Sequence, residues 1–270
     1  MCPMTPPPPH GLATDGTIQR EGDLSRIDPD FAPMVQILRT QLPHLLGEHL
    51  HSVYLYGSIP RGTATPGISD LDALAVLHNT PTDTDRTTVR ALETELDRRF
   101  CQINGAGILL HSILSLTSPA ERHDGGFFLA CLCTPLLGPD LAQHLPRYRP
   151  TSLLARQTNG DLEQLLPRWH HRLALAHTPE QRRHLCRTIA RRLVRTGFTL
   201  IMPTWKGWTS DLDESAHLFA THHPERAEQM YTAAHLAHHP SHEPADLNLL
   251  LHDLAPWLAH TYTATHGTKT

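Results

Sequence analysis

Residues 52–77 read SVYLYGSIPRGTATPGISDLDALAVL, and the whole interpretation of the chain turns on this stretch. Ser52 to Tyr56 is a β-branched and aromatic run that stops at Gly57, as a strand ending in a tight turn does. The loop that follows, RGTATPGIS, is full of turn formers, and DLDALAVL then alternates before becoming wholly apolar, as a strand entering a core does. Asp70 and Asp72 flank Leu71, so both carboxylates leave one face of the second strand while Leu71 points into the core. Two acids on one strand face can share divalent cations. Magnesium takes few carboxylate oxygens and completes its shell with water and nucleotide phosphates. Gly57 lets the backbone approach a phosphate, and Ser58 with the following amides can donate to it.

Working outward, Phe31, Val35, Leu38, Leu42 and Leu45/Leu46 recur at helical spacing, with Pro33 tolerable in a first turn. Downstream, Val89, Leu92, Leu96 and Phe100 among charges predict a surface helix over 83–100, and GILLHSILSL predicts a third strand. From about Pro150 strand signals fade. Leu162, Leu165/Leu166, Trp169, Leu173, Ile189, Leu193 and Phe198 predict a helical region, with Pro203 and Gly207 marking a break. Residues 1–27, rich in Pro, Gly, Asp and Thr, read as a flexible arm. The expected order is thus an arm over 1–27, an α/β domain over 28–149 with a short mixed sheet, an all-α domain over 150–264, and a flexible tail over 265–270.

Composition narrows the functional classes. The 270 residues carry 39% hydrophobic and 19% charged side chains and a formal net charge of -4, which leaves no large positive field for a long nucleic acid. Lys206 and Lys269 are the only lysines, beside 22 histidines and 23 prolines, a bias we read as coding background. Adjacent histidines such as His170/His171, His222/His223 and His238/His239 point about 100° apart on a helix and do not converge on a metal. Cys2, Cys101, Cys131, Cys133 and Cys186 form neither paired CxxC spacing nor an even framework, and fit reduced thiols in a cytoplasmic protein. The N-terminus lacks the basic and apolar regions of a signal peptide, and no apolar run approaches the ~18 residues that span a bilayer, so no membrane partner is expected.

The stretch GSIPRGTATPGISDLD resembles the signature of the DNA polymerase β-like nucleotidyltransferase superfamily, and its nearest likeness is to the bacterial aminoglycoside nucleotidyltransferases, which pair that domain with a helical one. The later TIARRLVRTGF and WTSDLDESAHLFATHHPE are similar to the helical domain of the aminoglycoside (3″)-adenylyltransferase group. The resemblance implies Mg²⁺-dependent transfer of a nucleoside monophosphate from a nucleoside triphosphate, ATP above others, to a hydroxyl of a small molecule, with release of pyrophosphate. It makes Asp70 and Asp72 metal ligands and places Gly57 and Ser58 on the phosphates with Arg61 adding charge there; Ser69 and Lys206, the latter in the break PTWKGW, are further candidates for contact with the nucleotide.

Members of that superfamily usually carry a third carboxylate on a following strand, and GILLHSILSL has none. His111 is the replacement base that the sequence offers, since imidazole accepts a proton near neutrality. Glu121 and Asp124 follow the strand. In the helical domain, Glu180 stands among Arg182, Arg183, Arg187, Arg191 and Arg192, which suits an anionic acceptor better than a polycationic antibiotic. Trp205 and Trp208 beside Lys206 can stack on a base or pack the domain. Two alternatives stand beside this reading: a protein AMP-transferase of the toxin–antitoxin kind, and a nucleotide-binding module that has lost catalysis with the third acid.

Overall fold

The computed structural model describes residues 11–269. The chain divides into two compact units, Gln19–Tyr148 and a second built from Arg149 onward together with the residues up to Ile18. Residues 1–10 of the expected arm, Cys2 among them, lie outside the described residues.

The first unit is a four-stranded mixed sheet in the order β3-β2-β1-β4. Helix α1 (Ala32–Leu46) leads into β1 (Leu50–Tyr56), the single turn α2 (Ser58–Arg61), β2 (Leu71–Leu77), helix α3 (Asp83–Arg99) and β3 (Ala106–Ser112). Short turns α4 (Ile113–Thr117) and α5 (Gly125–Phe127) and a π-helical turn at Phe128–Leu132 then deliver β4 (Thr134–Leu137). Strand β1 pairs antiparallel with β2 and β4, and β2 pairs parallel with β3. The apolar end of DLDALAVL is explained by burial on both faces. Leu71, Ala73, Ala75 and Leu77 pack with α1 and α3, whereas Leu74 and Val76 pack with Tyr54, Leu116, Leu129 and Leu141.

The sequence reading expects three strands and does not foresee β4, and it parts from the structure at two further places in this unit. The third strand ends at Ser112, and Ile113–Leu116 belong to α4. Ser112 and Ser115 exchange side-chain bonds to each other's amides, a capping box that starts a helix inside an apolar run. The second difference concerns residues 19–27, read from composition as part of the arm. Beside Leu24 and Ile27, which pack on the core, their anchors are polar: the Arg20 guanidinium lies 2.9 Å from Asp140 Oδ2, the Glu21 amide donates to Cys131 O at 2.9 Å, and the Asp23 amide donates to Pro60 O at 2.8 Å. Apolar content is a poor guide where a strap is held by ion pairs and backbone bonds.

The second unit is helical: α6 (Ser152–Asn159), α7 (Leu162–Ala174), the 27-residue α8 (Pro179–Trp205), α9 (Leu212–His222), α10 (Ala227–His238), α11 (Pro244–Asn248) and α12 (Ala255–His266), with a π-helical turn at Leu249–Leu254. Thr178 and Gln181 form the capping box that opens α8. A buried polar chain ties the helices together. Asn159 donates to Thr199 Oγ1 at 3.0 Å, Thr199 and Tyr262 share a bond of 3.0 Å, and the Tyr262 hydroxyl donates to Ala155 O at 2.6 Å. Helix α8 runs through Pro203 and ends at Trp205, with Lys206 in the left-handed region as its cap. Of the expected tail, His266 closes α12 as a buried residue, and the Lys269 amide donates to Gly160 O at 3.0 Å. No helix among the described residues is long and apolar enough to cross a membrane.

Candidate active site

The acids owe their position to three neighbouring strands. Asp72 on β2 stands opposite Tyr56 on β1 and Gly107 on β3. Just beyond Tyr56, Gly57 takes φ 81° and ψ -156°, a conformation open to glycine. A Cβ built on Gly57 would sit 2.6 Å from Asp72 Oδ2. On the other side, a Cβ on Gly107 would lie 3.9 Å from Asp72 Oδ1, and one on Gly105 would lie 3.9 Å from Asp70 Oδ1. Both carboxylates therefore look onto backbone without side chains, a recess of the kind that a hydrated cation and a phosphate need. The Gly57→Ala protein should lose about 1–3 kcal/mol of stability from the forced left-handed residue alone. Because the new methyl also displaces the Asp72 carboxylate, nucleotidyl transfer should fall roughly tenfold or more in addition. Thermal melts and initial rates measure the two effects separately.

The turn itself is rigid. Buried Ile59 and Pro60 anchor α2, Gly62 caps it in the left-handed region, and the Thr63 amide donates to Ser58 O at 3.0 Å. Ser58 follows Gly57 directly, where its hydroxyl and amide leave the end of β1. Ser69 closes the loop: its Oγ accepts from the Thr65 amide at 2.9 Å, its amide donates to Thr65 O at 3.0 Å, and its carbonyl accepts from Asn104. That arrangement leaves the Ser69 hydroxyl proton to donate to a ligand. The Leu71 amide donates to Gly105 O at 2.8 Å and fixes the start of β2 beside the two acids.

Arg61, at the end of α2, lies 3.5 Å from Glu21 Oε2 on the N-terminal strap. Gly22, next in line, is wedged between β4 and α2. A Cβ there would overlap Thr134 Oγ1 and approach Pro60 Cβ to 2.9 Å. The strap thus bears on the Gly57–Arg61 turn, a connection that the sequence reading missed because polar residues far upstream carry no periodic signal. Gly22→Val should destabilise the chain by about 1–3 kcal/mol through overpacking. It should also weaken nucleotide binding several-fold, as α2 gives way. A melting curve with and without Mg-nucleotide tests this, and an unchanged ligand-induced shift would count against it.

The structure does not bring His111 to the acids. His111 pairs with Val76, four residues beyond the Gly107–Asp72 pair, which is roughly 13 Å along the strand. Its ring stands 3.5 Å from Ser115 Oγ. Burial depresses its pKa, with Glu121 opposing and Arg86 reinforcing that shift. Glu121 accepts from the Gly125 amide at 3.3 Å and closes its own turn. The Asp124 carbonyl accepts from the Phe128 amide at 2.8 Å, and its side chain caps no helix. The position abreast of Asp72 on β3 is Gly107, and the next residue on that face is Leu109, 42% exposed. Among the described residues no group of three or more His, Cys, Asp and Glu side chains could hold a metal ion. Two carboxylates with nucleotide phosphates nevertheless suffice for magnesium. The glycines at 105 and 107 alternate on one strand face in the sequence, a period-two signal that could have been read.

In the helical unit, several arginines of the basic run are engaged. Arg192 is ion-paired with Asp161 and donates to Thr158 O at 3.3 Å, and Arg182 Nε donates to Ala176 O at 3.1 Å. Arg183 stands 3.9 Å from Glu180. Trp205 and Trp208 pack edge-to-face on Phe198 with centroids at 5.8 and 5.6 Å. Lys206 is exposed.

Residues 35–102, from α1 to the approach to β3, match the family model for the nucleotidyltransferase domain. No curated protein sequence matches the chain. Among solved structures, the chain is similar to spectinomycin adenyltransferase AAD(9) from Enterococcus faecialis, crystallised with ATP and spectinomycin, at a TM-score of 0.53 and 18% identity, over 87% of this chain and 98% of that one. The glycine-serine turn, the two acids and strands β1 and β2 fall inside the matched segment. The chain is therefore an enzyme of the nucleotidyltransferase type, with a DNA polymerase β-like domain and an overall fold resembling the aminoglycoside adenylyltransferases.

Proposed function

We propose that this enzyme uses Mg²⁺ to transfer a nucleoside monophosphate from a nucleoside triphosphate, ATP by preference, to a hydroxyl of a small molecule in the cytoplasm. The observation that carries the proposal is the pair Asp70 and Asp72 set against glycines just past the end of β1 and at the start of β3, directly behind the Gly57–Ser58 turn. Bound Mg²⁺ would neutralise charge on the α-phosphate and on the departing pyrophosphate. The chain's own residues supply the rest. Asp70 and Asp72 hold the cation. Gly57 leaves room for the phosphates, and Ser58 and Ser69 donate hydroxyl protons to them. Arg61, steadied by Glu21, adds positive charge at the end of α2.

The acceptor belongs to antibiotic modification or to specialised metabolism. A small hydroxyl-bearing molecule is supported by the likeness to an enzyme crystallised with spectinomycin. Pyrophosphate release with Mg²⁺ and each of the four nucleoside triphosphates, against a panel of aminoglycosides and other hydroxyl-bearing metabolites, tests the proposal. Release that needs an acceptor names the reaction. Mg-dependent nucleotide binding without turnover across the panel would favour a binding module, and labelling of a protein by radioactive ATP would favour a protein AMP-transferase.

A further inference from the structure

Strand β3 is an edge of the sheet, and helix α3 lies along it. Arg86, Arg90, Glu93 and Asp97 follow one another at helical spacing of four, three and four residues. They form a single stripe. Two of them complete the edge. The Ala106 amide donates to Asp97 Oδ1 at 2.7 Å, and the Ile108 amide donates to Glu93 Oε1 at 2.6 Å. By strand alternation the Leu110 amide faces the same way, one rung further on. The α3 residues next along the stripe are Arg90 and Arg86, and an arginine can only donate. Among the described residues neither guanidinium has an ion pair or a hydrogen bond, and the outward Leu110 amide has no side-chain acceptor. A cavity of about 560 Å³ opens at this rung, lined by both arginines with Pro81, Leu109, His111 and Ser115.

We infer that this cavity is an anion site for a phosphate group, separate from the Asp70–Asp72 site. The first two rungs are closed by carboxylates from the helix; the third presents three donors and lacks an acceptor. A phosphate oxygen would take the Leu110 amide as Glu93 takes that of Ile108, and the remaining oxygens would meet the two guanidiniums. Phosphate fits better than carboxylate because two forks and an amide call for three or more oxygens. The volume lies within the range of about 300–1,000 Å³ typical of small-molecule sites, so the phosphate can belong to a phosphomonoester whose body rests on Pro81 and Leu109.

Amide chemical shifts of the full chain, free of divalent metal, test the inference with inorganic phosphate and glycerol 3-phosphate as probes. The Leu110 amide should move downfield and saturate. The Arg86→Gln/Arg90→Gln double variant, whose exposed side chains leave the fold intact, should bind at least tenfold more weakly, while Asp70→Asn/Asp72→Asn should bind as the parent does. Tighter binding of the monoester would show that the body is recognised, and equal binding would mark a site for free phosphate. A Leu110 amide that stays still at tens of millimolar phosphate overturns the inference. So does a response that survives the loss of both arginines.

Discussion

Under the proposed function, Asp70→Asn and Asp72→Asn should each lower Mg-dependent nucleotidyl transfer by about a thousandfold or more, because each would remove a charged ligand from a metal that carries most of the charge stabilisation. Asparagine keeps the shape of the side chain, so the sheet should fold as before. Leu71 and Ala73, the neighbours that pack the core, are untouched. Two features make the expectation sharper than a general statement about acids. First, the double variant should be scarcely worse than either single one, since residues that hold one ion act as a unit and their losses do not add. Second, Asp72 should be the less forgiving position to enlarge. Its two oxygens sit beside Gly57, just past the end of β1, and Gly107 on β3, whereas Asp70 faces Gly105. Asp70→Glu should therefore retain more activity than Asp72→Glu. Pyrophosphate release measures rate, and Mg-dependent protection of the nucleotide complex against melting measures binding. Activity within about tenfold of the parent in either asparagine variant would remove these carboxylates from the metal site.

Much of this site was legible because its signals are local. A strand that stops at Gly57, a turn-rich loop and two acids in period two lie within about twenty residues, and the backbone geometry of each is dictated by residue type. Three of the four strands and the helical second region followed from the same periodicities, whereas β4 did not. What the sequence hid was of three physical kinds. The end of β3 was masked because Ile113 and Leu116 look like strand residues, while the deciding factor is a pair of serines that cap each other's amides. The strap at residues 19–27 was masked because its hold on the sheet comes from Arg20–Asp140, Glu21–Arg61 and backbone bonds between residues more than thirty positions apart. The role suggested for His111 rested on its imidazole and its place in the third strand. His111 does share a face with Asp72, but register along the strand sets the distance, and register is a property of the paired sheet.

The same register identifies Gly107 as the place where a third carboxylate would stand, and Gly107→Glu should raise activity. Gly107 is not held in a left-handed conformation, and its Cβ would make ordinary contact with Asp72 Oδ1 at 3.9 Å, so a side chain can enter without moving the strand. In the absence of metal the added charge sits beside Asp72 and should lower the melting temperature. With Mg²⁺ the sign reverses, because a third oxygen ligand binds the cation that the two aspartates attract, and ligand binding to the native state alone stabilises it. The Mg²⁺ dissociation constant should fall roughly tenfold, as an added charged ligand to the metal implies. Turnover should rise about a hundredfold if the new carboxylate also takes the proton of the acceptor hydroxyl, the lower end of what a positioned general base contributes. Gly107→Gln, equal in size and uncharged, separates charge from bulk and should show neither the metal-free loss nor the gain with Mg²⁺. Leu109→Glu places the same group on the same face about 7 Å further along the strand. If Leu109→Glu gains and Gly107→Glu does not, the open ligand position lies one step along β3. If neither changes Mg²⁺ affinity, the recess between Gly57 and Gly107 is not where the metal binds.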